Sequence, residues 1–103
     1  MVNMMKLMKQ AQSMQKNMEK VQSDLAAREY EGTSGGGVVK AVVQGNMHVA
    51  RVEIDPKVID PADKDMLQDL IVSAVNTALE NAREDAASEM AKVTGGLGIP
   101  GMM

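Results

Sequence analysis

From Asn3 to Arg28 the chain has no glycine and no proline, and its apolar residues recur at Met4, Leu7, Ala11, Met14, Met18, Val21 and Leu25. The steps alternate between three and four residues, which is a heptad seam sustained over three repeats. A stripe that narrow cannot cover a sheet; it seeks one other helix. The intervening Lys, Gln, Glu and Ala residues are good helix formers. The spacing therefore predicts one helix, about 39 Å long at 1.5 Å per residue. That is too long to lie wholly on the core of a 103-residue chain.

Helical period stops at Glu29. The runs 38–43 (Val-Val-Lys-Ala-Val-Val) and 49–54 (Val-Ala-Arg-Val-Glu-Ile) are β-branched and strand-like. Gly45-Asn46 between them suits a two-residue primed turn with positive φ at both positions. Alternation places Ala50, Val52 and Ile54 on one face, and Val49, Arg51 and Glu53 on the other. Glu29 to Thr33 reads as a preceding strand, joined to the next by a loose Ser34-Gly35-Gly36-Gly37 connection. Asp55-Pro56 stops the sheet.

A second long helix opens at Asp60-Pro61-Ala62-Asp63, with Asp60 as N-cap and Pro61 at the first helical position. It runs to about Val93. Leu67, Leu70, Ile71, Ala74, Val75, Ala78 and Leu79 form a broad stripe suited to a sheet. Ala82, Ala86, Met90 and Val93 form a thinner one suited to a neighbouring helix. Gly95-Gly96 ends it.

The expected class is thus α+β. A long N-terminal helix, a three-stranded antiparallel sheet and a long C-terminal helix form a single domain over 1–94, with 95–103 a flexible Gly/Pro/Met tail. The Met-rich seam meets the Ala-rich half of the second helix as an antiparallel arm projecting from the sheet. One helix covers only one face of such a sheet. A second copy, joined through the sheets at Val39, Val43, Val49 and Arg51, is expected to cover the rest.

The formal net charge of -3 argues at first against nucleic acid. Its distribution reverses that reading. Residues 1–28 hold five bases against two acids, a local +3, and the remainder of the chain sums to -6. Lys6, Lys9, Lys16 and Lys20 fall on the side of the first helix opposite its seam. Such a stripe is either an ordinary solvated face or a phosphate-binding surface, and pattern alone does not separate the two.

Other chemistry finds little support. Tyr30 is the only aromatic, with no Phe or Trp to stack bases. There is no Cys, and His48 is the only His, so neither a thiol nucleophile nor a His-based triad or metal pair can be built. The 34–37 segment lacks the Lys and Ser or Thr of a phosphate-cradling loop. Asp60, Asp63 and Asp65 lack the spacing of a calcium loop. No enzyme activity, cofactor, metal or small-molecule substrate is expected. No apolar run suits a signal peptide or a membrane span, so the expected location is cytoplasmic.

Taken together, several segments resemble the YbaB/EbfC family of bacterial nucleoid-associated proteins. They are Met4 to Gln12 (Met-Met-Lys-Leu-Met-Lys-Gln-Ala-Gln), Glu31 to Ala41, Val42 to Asn46, Val52 to Pro56, and Met90 to Leu97 with the tail beyond. The resemblance covers nearly the whole chain. It implies a small cytoplasmic, nucleoid-located protein. It also implies a homodimer joined at the sheets, with projecting helices that grip double-stranded DNA. On that reading Lys6, Lys9, Lys16 and Lys20 contact phosphates, with Arg28 contributing near the sheet. The alternative is a helical adaptor whose arms hold a protein partner.

Overall fold

A computed structural model of the chain describes residues 3–95. The elements run α1 (Met4–Ala27), β1 (Glu29–Ser34), β2 (Val39–Gln44), β3 (Val49–Ile54) and α2 (Lys64–Gly95). The 95–103 tail of the sequence reading lies outside the described residues, apart from Gly95. The strands form one antiparallel sheet in the order β1-β2-β3. The molecule measures 75 × 25 × 16 Å, an elongated body that matches the expected arm.

Each helix begins on a side-chain cap. The Asn3 carboxamide oxygen accepts from the backbone N–H groups of Met5 and Lys6. Asp60 accepts from Ala62 N–H, with Pro61 next in the chain, but what it caps is a short 3-10 turn, Pro61–Asp63. The α-helix proper starts at Lys64.

The core lies between α2 and one face of the sheet. Val39, Ala41 and Val43 of β2 are fully buried against Ala74, Ala78 and Ala82, which recur every fourth residue of α2. Leu67, Leu70, Ile71, Val75 and Leu79 flank that row. Alanines let the backbones approach closely, and Gly32 of β1 brings them closer still. A Cβ at Gly32 would collide with Ala74 O and Ala78 N and stand 3.0 Å from Ala78 Cα. Two side-chain bonds tie α2 to β1 on either side: Ser34 Oγ donates to Leu70 O at 2.6 Å, and Asn81 Nδ2 donates to Glu31 O at 2.9 Å.

Three local expectations are corrected. Gly45 and Asn46 do not take positive φ; Met47 does, at 69°. Met47 N–H donates to Gln44 O, and Gln44 N–H to His48 O, so the loop has three residues and ends in a left-handed one. Gly45 serves another purpose. A Cβ on it would overlap Leu25 O, so its bare backbone lets the end of α1 rest on the turn. The 34–37 connection is a 3-10 turn in which Gly35, Gly36 and Gly37 all have positive φ, a conformation glycine adopts without strain.

The third correction concerns the expected contact between copies. Val39 and Val43 have no exposed surface, because they face α2. A register shift in β3 leaves Ala50 without a partner. Val49 then stands opposite Val43, while Arg51 stands opposite Val42. Cross-strand partners share a face, so Val49 and Arg51 lie on opposite sides of the sheet. The four residues do not form one surface.

Candidate functional site

α1 leaves the sheet as a basic rod. Leu25, near its inner end, is buried, and Val21 and Met14 are half-buried. Gln22, Leu25 and Ala26 line a common groove with Ala86 and Met90 of α2. Further out, Met14 and Val21 share another with Lys92 and Val93. The two helices are therefore antiparallel, as the two stripes required. Seam contact turns the other side of α1 to solvent, and that side carries the lysines.

Lys6, Lys9, Lys16 and Lys20 are all exposed. Among the described residues none of them lies within ion-pair distance of an acid. They span about 21 Å of helix at 1.5 Å per residue. Phosphates along one strand of a duplex recur every ~3.4 Å of helix axis, so the row matches a run of about six base pairs.

Arg28 is placed differently. It donates to Asp85 Oδ2 at 2.9 Å and lies 3.7 Å from Glu89. Tyr30 Oη donates to the same Asp85 oxygen at 2.5 Å. The Tyr30 bond, joined by Arg28, holds the Asp85 carboxyl below its ordinary range. Burial, with Asp85 nearby, pushes the Tyr30 hydroxyl up. Arg28 thus fastens the start of β1 to α2, and its charge is offset twice. Composition and spacing gave no sign of this cluster, whose members lie 55 and 57 residues apart.

The outer face of the sheet is charged. Arg51 pairs with Glu29 at 3.3 Å, and Lys40 lies 3.4 Å from Glu53 and 3.7 Å from Glu31. Beneath these side chains Val42, partnered by Glu31 and Arg51, is fully buried. Among the described residues no group of three or more His, Cys, Asp or Glu is arranged to hold a metal ion. No helix there is long and apolar enough to cross a membrane.

Known proteins match this chain closely. The profile of the YbaB/EbfC DNA-binding family matches residues 1–97. A "nucleoid-associated protein" of Ruminiclostridium cellulolyticum is 55% identical over 101 residues, covering 97% of this chain and 88% of the relative. One of the same description from Clostridium kluyveri is 50% identical over 100 residues, with the same coverage. The crystal structure of an uncharacterized protein, HP0035, from Helicobacter pylori shares the fold. Its TM-score is 0.75 at 19% identity, covering 91% of this chain and 99% of that one.

Proposed function

Because the chain belongs to the YbaB/EbfC DNA-binding family, we propose that it coats or organises nucleoid DNA as a homodimer, gripping the duplex by phosphate contacts from α1. The observation that carries this reading is the row of four exposed, unpaired lysines on the side of α1 away from α2. The acids on the rest of the chain do not cancel them. At physiological salt the Debye length is ~8 Å, so a phosphate at the lysine row responds mainly to the near face. Within α1 only Glu19 and Asp24 oppose the bases.

Contacts of this kind position a protein on DNA without reading its bases. The lack of Phe and Trp points the same way. Binding is therefore largely independent of sequence and steeply dependent on salt. Arg28 contributes less than the lysines, since Asp85 and Glu89 already engage it. The dimer contact lies along the β3 side of the sheet. β3 is an edge strand, and Val49 on it and Ile59 shortly after it are 49% and 55% exposed. Arg51 sits on the same strand, free to contribute from the outer face.

A mobility-shift titration of a random-sequence duplex at several salt concentrations tests the proposal. Each neutralised phosphate contributes about 0.9 to the log–log slope, so eight lysines in a dimer give up to about -7. The adaptor reading predicts no duplex binding even at low salt.

A further inference from the structure

The seam of α1 is longer than its partner. Leu25 is buried and Met14 half-buried against α2, but Leu7 is 50% exposed and Met4 73% exposed. Met8, beside them, is 60% exposed. The last described residues of α2 lie beside Met14, where Val93 lines the shared groove. That groove does not stop there. From Met14 and Asn17 it continues along α1 past Ala11 and Leu7 as an open trough of about 660 Å³. About 15 Å of seam, from Met14 to Met4 at 1.5 Å per residue, is left without a helix to cover it.

The chain itself continues from this point. Residues 97–103 read Leu-Gly-Ile-Pro-Gly-Met-Met. They carry no charge, and four of the seven are large and apolar. Gly98, Pro100 and Gly101 disfavour any extension of α2. An extended segment of seven residues reaches about 23 Å at 3.3 Å per residue, more than the uncovered seam requires. Leu97 and Ile99 then fall on one face of it, and the Met side chains adapt to irregular apolar surface.

We propose that residues 97–103 are the missing partner of the outer seam, running along α1 from Met14 toward Met4 as an extended strap. The strap shields Leu7 and Met4 from water. It leaves the lysine row clear, because that row lies on the far side of the helix. The rival occupants of the trough are α1 of a second copy and a lipid surface.

The sequence contains no cysteine, so paired cysteines report contact without background. The full-length chain is prepared with Leu7→Cys and Ile99→Cys, and separately with Gln12→Cys and Ile99→Cys. Gln12 lies on another side of α1 and nearer to Met14, so an unattached segment reaches it more readily. Under mild oxidation the Leu7 pair is expected to close within one chain roughly tenfold faster or more, the advantage that a held contact gives through effective concentration. Equal rates for the two pairs overturn the strap. So do disulfides that form only between chains, which assign the trough to a second copy. As a second measurement, a chain ending at Gly96 should show faster hydrogen exchange at amides 7–14 and stronger binding of a hydrophobic dye. Exchange and dye binding equal to the full chain refute the proposal. Binding of the full chain to neutral phosphatidylcholine vesicles, lost in Leu7→Asp, also refutes it and assigns the trough to lipid.

Discussion

Gly32→Ala tests how tightly α2 is seated on the sheet. The added Cβ meets backbone on α2, at Ala74 O and Ala78 N, rather than a side chain that can turn aside. α2 must retreat by roughly 1 Å to restore ordinary van der Waals separation. That retreat loosens the Ala74, Ala78 and Ala82 row from Val39, Ala41 and Val43 together. Overpacking of a dense core costs typically 1–3 kcal/mol, and the immobile neighbours place this site near 3. Relief of the glycine's backbone entropy returns about 0.5–1 kcal/mol, leaving a net loss of about 2 kcal/mol. In a domain of this size that lowers Tm by roughly 8–16 °C. Gly36→Ala is the control. Its Cβ meets nothing within 4 Å, so its cost, about 1–2 kcal/mol, comes only from its φ of +73°. Urea unfolding followed by circular dichroism, at one fixed protein concentration, gives both values. If Gly32→Ala lies within 0.5 kcal/mol of the unaltered chain, the close β1–α2 approach is not a source of stability.

Other perturbations separate the remaining parts. Leu25→Ala removes the one buried seam residue and should cost about 2–3 kcal/mol by the same unfolding assay, the lower part of the range for a core leucine; no measurable loss would mean that the arm is not packed there. Gly45→Ala drives a Cβ into Leu25 O, so hydrogen exchange at amides 21–27 should accelerate, and unchanged exchange would contradict that contact. Asp85 is held below the ordinary carboxylate value of 3.8, so its contribution to stability is present above that pH and is lost as pH falls through its lower folded-state value. Thermal melts at pH 7 and pH 3 should therefore differ less for Asp85→Asn than for the unaltered chain, and an equal difference would remove Asp85 from the account.

Much of this architecture was open to reading in the chain. The 3-4 seam fixed α1 and its antiparallel partner, because heptad spacing has few other uses. Residues 38–43 were legible as a strand, but their near-continuous valines could not say which face α2 covers. Only the tertiary packing shows that Val39 and Val43 point inward. The bulge at Ala50, which puts Val49 and Arg51 on different faces, leaves no mark in an alternating pattern. Gly32 did leave one: a lone glycine inside a strand marks close backbone approach. The lysine row was legible because helical period alone determines it. The engagement of Arg28 was not, since its partners Asp85 and Glu89 come from the far end of the chain.

The most direct test changes Lys6, Lys9, Lys16 and Lys20 together to Glu. All four are exposed and unpaired among the described residues, so circular dichroism and light scattering should report an unaltered fold and mass. The measurement is duplex affinity at low salt. The account predicts that binding is abolished while the fold and the assembly persist. Affinity equal to that of the unaltered protein would contradict it and place the DNA-binding surface elsewhere on the molecule.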